Sequence, residues 1–216
     1  LNTCSATSMS PLCNKPALLQ KLLQHDNIKI IGLTETWLPI DPLPSMLNSL
    51  TPPNYSIISN PRLSGRGGGT AFIFRSYLQF SQINIPTYPS FEALCCKLTI
   101  ASKSFIFLVV YRPPSLSVPD FISDFSSLID FLNTFPSELI ISGDFNIHVD
   151  QTSSSSSCNF QSLLDSSDLK QHVSFPTHKH GHTLDLLLSR NTSNIISSVE
   201  WTIPFISDHN TVHATI

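Results

Sequence analysis

Several ionisable and amide residues follow directly on apolar runs. Residues 28–33 lead to Glu35, residues 105–110 to Tyr111 and Arg112, and residues 139–142 to Asp144 and Asn146. In α/β sheets the loops at strand ends converge on a crevice, so side chains delivered there gather in one place. One such residue is ordinarily a turn or a cap, whereas several together point to a site. In Gly143-Asp144-Phe145-Asn146, glycine permits a tight turn, and Asp144 and Asn146 alternate onto one side of extended backbone. A carboxylate and an amide so placed can orient and deprotonate a water, and the same residues also favour an Asx turn. Ser207-Asp208-His209 offers two readings. It sets an acid beside the side chain best suited to proton transfer near neutral pH, or a capping Asp beside a surface His. Asp185 lies in the apolar stretch Thr183-Leu184-Asp185-Leu186, where an unpaired buried carboxylate is costly. It requires a partner, and His209 is the natural candidate.

Alternating strand and helix patterns must position these residues, which makes an α/β chain. Lys15-Pro16 opens a helix through His25, with Leu18, Leu19, Leu22 and Leu23 at helical spacing. Strands are expected at 28–33, 55–59 and 70–74, with a loop at 61–69, and at 93–100 and 105–110 as a hairpin pair. A second helix starts at Pro119 and shares Phe121, Phe125, Leu128 and Leu132 on one face. A strand at 139–142, a serine-rich loop at 150–157, a helix at 160–168 and strands near 184–188, 199–202 and 211–216 complete the reading. No repeat or linker divides the chain, so one domain over residues 1–216 is expected.

Composition limits the alternatives. At 216 residues, 41% hydrophobic and 12% charged, the chain can bury a sizeable core. A net charge of −3 argues against a strongly basic nucleic-acid coat. No apolar run nears the roughly 18 residues of a membrane span, and the start lacks a secretory pattern. A soluble, intracellular chain without membrane association is expected. The cysteines, Cys4, Cys13, Cys95, Cys96 and Cys158, show no CxxC spacing, which speaks against a disulfide scaffold or zinc ribbon. Cys95 and Cys96 read as buried thiols on opposite strand faces. His178, His180 and His182 alternate as a metal-binding strand would, but Lys179 and Gly181 between them favour a polar loop. Arg66-Gly67-Gly68-Gly69 could cradle a phosphate, and more readily permits a tight turn into the following strand.

The ordered set of Asn2, Leu33-Thr34-Glu35-Thr36-Trp37, Arg66-Gly67-Gly68-Gly69-Thr70, Tyr111-Arg112-Pro113-Pro114, Ser142-Gly143-Asp144-Phe145-Asn146, Thr183-Leu184-Asp185 and Ser207-Asp208-His209 spans essentially the whole chain. It resembles the endonuclease/exonuclease/phosphatase superfamily. Within that superfamily it looks most like the apurinic-type endonuclease domain of LINE-type non-LTR retrotransposons.

The resemblance implies a DNase I-like, four-layered α/β sandwich: two packed mixed sheets with helices outside, the first strand shortened at Leu1-Asn2. It implies a divalent metal, Mg2+ or Mn2+, with Glu35 as ligand, Asn2 beside it and Asp208 on the metal side. By the same resemblance, Asp144 activates the attacking water, Asn146 holds the water or phosphate, Tyr111 steadies the phosphate, and Asp185 orients His209, which contacts the scissile phosphate. Thr177 corresponds to a threonine near the DNA surface. From position alone, His148 could face the same crevice, and Arg112 could reach the DNA backbone or pair with a carboxylate. The implied function is a metal-dependent phosphodiester hydrolase that nicks duplex DNA in the nucleus. It would act as a monomer, with a reverse transcriptase domain in the parent element. The alternatives are a phosphatase or phospholipase of the same superfamily, or a catalytically inactive, element-derived binding module. An oxygen-rich ligand set suits a hard ion such as magnesium and not zinc.

Overall fold

The computed structural model describes residues 4–8, 15–25, 27–202 and 207–216, with 4–8 and His25 described by their backbone alone. Through these residues run β1 (Cys4–Ser8), α1 (Pro16–His25), β2 (Ile30–Thr34), α2 (Pro44–Leu50), β3 (Tyr55–Asn60), β4 (Thr70–Arg75), β5 (Phe80–Ile83), β6 (Glu92–Ile100) and β7 (Lys103–Tyr111). Then follow α3 (Val118–Leu132), β8 (Glu138–Asp144), α4 (Ser155–Ser166), β9 (Leu169–Gln171), β10 (Asp185–Arg190), β11 (Ser198–Thr202) and β12 (Thr211–Thr215).

The strands form two 6-stranded sheets, ordered β11-β12-β1-β2-β4-β3 and β5-β6-β7-β8-β10-β9. Each sheet contains one parallel pair bridged by a helix, β1–β2 across α1 and β7–β8 across α3, with the antiparallel pairs around it. β1 lies between β12 and β2, at the place of the strand that the sequence led us to expect shortened.

Strand alternation sorts the apolar side chains into three cores. Phe72, Phe74, Phe107, Val109, Ile140 and Leu187 meet between the two sheets. Ile31, Leu33, Ala71 and Ile73 face the other way onto Leu19, Leu22 and Leu23 of α1 and Leu50 of α2. Ile106, Leu108, Val110, Leu139, Ile141, Leu186 and Leu188 face outward under α3 and α4. The result is the four-layered α/β sandwich. Cys95 joins the outer core and Cys96 the inter-sheet core, as alternation predicts. Burial pushes the Cys95 thiol up to about 12, which leaves it inert.

Three short elements escaped the sequence pattern. α2 buries only Leu50, β5 buries only Phe80, and β9 has three residues, so none carries a legible period. The serine run is not all loop. The Ser154 hydroxyl accepts from Ser157 N at 3.2 Å and starts α4 at Ser155, five residues before the expected start, because serine is a good N-cap. No helix among the described residues is long and apolar enough to cross a membrane.

Candidate active site

Strand register assembles the site. Tyr111 pairs with Asp144 across β7–β8, and Asp144 pairs with Asp185 across β8–β10. Three residues far apart in sequence therefore stand in a row at one end of one sheet. Gly143 makes that row possible: its φ is +143°, and a Cβ there would lie 1.9 Å from the Val110 carbonyl oxygen. Phe145 anchors the turn beyond. Its ring sits 5.6–5.9 Å from those of Phe121, Phe125 and Phe160, and its N–H donates to Leu184 O at 2.9 Å.

His209 Nδ1 lies 2.7 Å from Asp185 Oδ2. One ligand-type atom each from Asp144, Asp185 and His209 fall within 4.8 Å of one another. Both carboxylates are buried, and Asp185 Oδ1 has no hydrogen-bond partner. Burial raises Asp144 far above the usual carboxylate range, and the Asp185 charge adds to it. For His209, burial pulls toward the neutral ring, but the Asp185 charge and hydrogen bond, then Asp144 and Asp208, outweigh it and hold the imidazole at about 9. The site therefore sets an Asp144 carboxyl that holds its proton unusually tightly beside a charged His209 imidazole. Asn146 fixes its carboxamide by donating to the Arg112 carbonyl at 2.9 Å, and its N–H donates to Asp144 Oδ1 at 3.1 Å.

Glu35 comes from the other sheet, just after β2. Its carboxylate accepts from the Tyr111 hydroxyl and from Trp37 Nε1. Trp37 and Thr36 are tied by N–H donations to Gly68 O and Gly69 O at 2.8 and 3.2 Å. Gly69 has a φ of +85° and passes so near Thr36 that a Cβ would fall 2.7 Å from Oγ1. The glycine run thus turns into β4, as expected, and also braces the Glu35 loop. Glu35, Trp37 and Asn146 all have φ near +50°, an uncommon region for residues with a Cβ, which such neighbours must enforce.

Several expected roles are redrawn. Arg112 is 2% exposed and does not face solvent. Its guanidinium donates to the carbonyls of Phe145 at 2.7 Å, Leu116 at 2.6 Å, Pro113 and Asn146. Among the described residues its hydrogen bonds go to carbonyls and not to a carboxylate, with the Asp144 charge near enough to be felt; a five-donor fork left in the interior takes the unpaired carbonyls of the turn around it. Thr177 is fully buried, and its Oγ1 accepts from Leu184 N and Asp185 N at 3.0 and 2.9 Å, so it braces the start of β10. His148 packs its ring on His182 at 4.1 Å between centroids. Asp208 is half exposed, 3.1 Å from Lys179 Nζ and 3.6 Å from His178 Nε2. Among the described residues, Glu35 joins no group of three close ligand-type side chains. Asn2 lies outside the described residues.

The alternating histidines part ways, His178 toward Asp208 and His209 and His182 toward Asp150 and His148, so they are not one metal strand. The sequence reading missed Trp37 and Glu92. Trp37 was legible as the neighbour of Glu35, but Glu92 reaches Arg62 and Gly69 N only through tertiary contacts.

Comparisons agree with this architecture. Residues 7–209 match the sequence profile of the Endonuclease/Exonuclease/phosphatase family. No curated protein sequence matches significantly. Among solved structures, the endonuclease domain of TRAS1, a telomere-specific non-LTR retrotransposon, is similar with a TM-score of 0.78 at 12% identity, covering 99% of this chain and 96% of that one. The AP endonuclease LMAP from Leishmania major has a TM-score of 0.78 at 13% identity, over 99% and 86%. A 3′ phosphatase, NExo, from Neisseria, bound to a product DNA hairpin, has 0.73 at 19%, over 99% and 98%. At these identities the likeness concerns the fold.

Proposed function

Because the chain belongs to the Endonuclease/Exonuclease/phosphatase family, whose members are hydrolases of phosphate esters, we propose that it is a divalent-metal-dependent endonuclease that nicks duplex DNA. In a parent retrotransposon the nick would leave the 3′ hydroxyl that primes reverse transcription, a nuclear reaction on chromosomal DNA. The observation that carries the reading is the 2.7 Å Asp185–His209 pair set against buried Asp144. The whole-chain likeness to the TRAS1 endonuclease domain, with Glu35, Asp144-Phe145-Asn146 and Asp185 in their motifs, supports the DNA-nicking branch.

Phosphodiester hydrolysis needs an activated water, neutralisation of developing charge and a stabilised leaving oxygen. Asp144 in its ionised form, made a stronger base by its raised proton affinity, is able to take the proton of the attacking water. Asn146, anchored on the Arg112 carbonyl, orients that water. His209 is charged at neutral pH and commits Nδ1 to Asp185, which leaves Nε2 to donate to a phosphate oxygen. Asp185 is a positioning residue, since it acts through His209. Tyr111 steadies Glu35 and, through it, the phosphate end of the crevice.

Mg2+ is held typically through one or two carboxylates with waters retained. Glu35 fits that demand, since a carboxylate accepting two hydrogen bonds keeps lone pairs for a hard cation. Glu35 is the residue that would hold magnesium or manganese, and the family resemblance would add Asn2 and Asp208 as further ligands. When bound, the ion neutralises charge on the phosphate. The test is nicking of supercoiled plasmid by the purified chain with magnesium and with chelator, alongside Glu35→Gln. We expect magnesium-dependent nicking that falls by about two orders of magnitude in the variant, with its circular dichroism unchanged. Undiminished nicking by Glu35→Gln at limiting magnesium overturns the ligand assignment. Phosphate release from a 3′-phosphorylated oligonucleotide without nicking makes the enzyme a phosphatase.

A further inference from the structure

Among the described residues, the hydrolytic residues leave one group of ligand-type side chains unused. Past the end of β8 the chain turns through residues 147–150, and ahead of β10 it turns through 178–184. His148 and Asp150 on the first turn meet His182 on the second, with one donor atom from each lying within 4.8 Å of the others. His182 Nδ1 is 3.0 Å from Asp150 Oδ2. The other carboxylate oxygen, Asp150 Oδ1, accepts from Thr183 N, also at 3.0 Å. His148 Nδ1 is buried and has no hydrogen-bond partner.

We propose that His148, Asp150 and His182 form a second metal site, for a late first-row divalent ion of which Zn2+ is the type. Two imidazoles and a carboxylate are the donor set of three-ligand zinc sites, whereas hard ions such as Mg2+ prefer oxygen alone. Ligands about 2.1 Å from a shared tetrahedral centre stand roughly 3.4 Å apart; His182 Nδ1 and Asp150 Oδ2 are 3.0 Å apart, and all three donor atoms fall within 4.8 Å. A backbone N–H already orients Asp150, and outer hydrogen bonds of that kind accompany ligating carboxylates. Backbone bonds hold both turns, Val149 N to Ile147 O at 2.8 Å and Thr177 N to His182 O at 2.9 Å, so the ligands are arranged in advance. Asp150 is open to solvent, which gives an ion its path. A plain hydrogen-bonded clip of Asp150 on His182 and Thr183 accounts for those residues, but not for the unpaired His148 nitrogen. Three protein ligands leave a fourth position for water. The site joins the turn after Asp144 and Asn146 to the turn before Asp185, so filling it ties together the two strand ends that carry the hydrolytic residues.

The test reads metal binding and stability, and so does not depend on the nuclease assignment. Metal-stripped chain is dialysed against micromolar zinc in millimolar magnesium, and zinc retained per chain is measured with the thermal midpoint. We expect about one zinc per chain, a raised midpoint, and loss of both in Asp150→Asn and in His182→Ala. Retention is expected in His178→Ala, which alters the other histidine cluster. Zinc lost from His178→Ala but kept by the first two variants overturns the proposal, as does an unaltered chain that retains none. X-ray absorption at the zinc edge of the zinc-loaded His178→Ala protein completes the test: two imidazoles, which the other cluster can then no longer supply, support the site, and an all-oxygen shell refutes it.

Discussion

Asp185 biases the protonation of two neighbours in the same sense. It raises Asp144 after burial has done so, and it is the main force holding His209 up at about 9 against burial. Asp185→Asn removes that negative charge, so both protons leave at lower pH. In a bell-shaped kcat/KM profile the rising limb follows ionisation of Asp144 and the falling limb deprotonation of His209. Both limbs are expected to move to lower pH in Asp185→Asn, with kcat down by about 10²–10⁴-fold. Limbs that stay in place while only the amplitude falls would argue against the pair. The same shifts govern stability. His209 and Asp144 each bind a proton more tightly folded than unfolded, so the unfolded chain holds fewer protons and stability falls as pH rises. The His209 contribution is complete below its ordinary value of 6.5 and is lost as pH rises through about 9. Calorimetry of the metal-free chain should show a lower melting temperature at pH 9 than at pH 6.5, and a flat or rising trend would contradict these assignments.

At the scale of elements, the site depends on turns more than on strands. The long strands, α1 and α3 were legible because each buries one regular face: α3 buries Phe121, Phe125, Leu128, Ile129 and Leu132, close to its sequence stripe. The turn after β8 was not legible. Its shape comes from Arg112 binding carbonyls, Phe145 entering an aromatic cluster and Gly143 passing under the Val110 carbonyl. From sequence, Arg112 could equally reach the DNA backbone or pair with a carboxylate. Its burial favours a third part, since a charged fork in the interior must satisfy its donors internally. Lysine cannot reproduce a fork with five donors, so Arg112→Lys is expected to destabilise the fold by about 2–4 kcal/mol in urea denaturation. It should also reduce nicking while the salt dependence of DNA binding stays as it was. A shallower salt slope in that variant would restore Arg112 to the DNA surface.

For the molecule as a whole, charge sets how DNA can be held. The chain has 12 Lys and Arg against a net charge of −3. Many are engaged: Arg112 is interior, Arg62 meets Glu92, Lys179 meets Asp208, and Arg190 donates to Asn133. Arg66 lies 5.2 Å over the Trp37 ring beside Glu35, where it can meet a phosphate. Binding of duplex DNA by Asp144→Ala is expected to involve about two to four phosphate contacts, a log–log salt slope of roughly −2 to −4. A slope steeper than about −6 would reveal a basic face that these pairings do not account for. The sequence alone determined the α/β class, most long elements and the residue types on which the proposed hydrolysis draws. It could do so because hydrophobic period and motif order are local properties of a chain. Only the tertiary structure decided which of those residues meet. Asp144 and Asp185 became neighbours through an antiparallel register, and His209 reached Asp185 from the segment ahead of β12. The structure also turned Arg112 and Thr177 inward and divided the histidines between two clusters. Burial and cross-strand pairing are properties of the packed chain, and they assign the work among residues whose types the sequence already supplied.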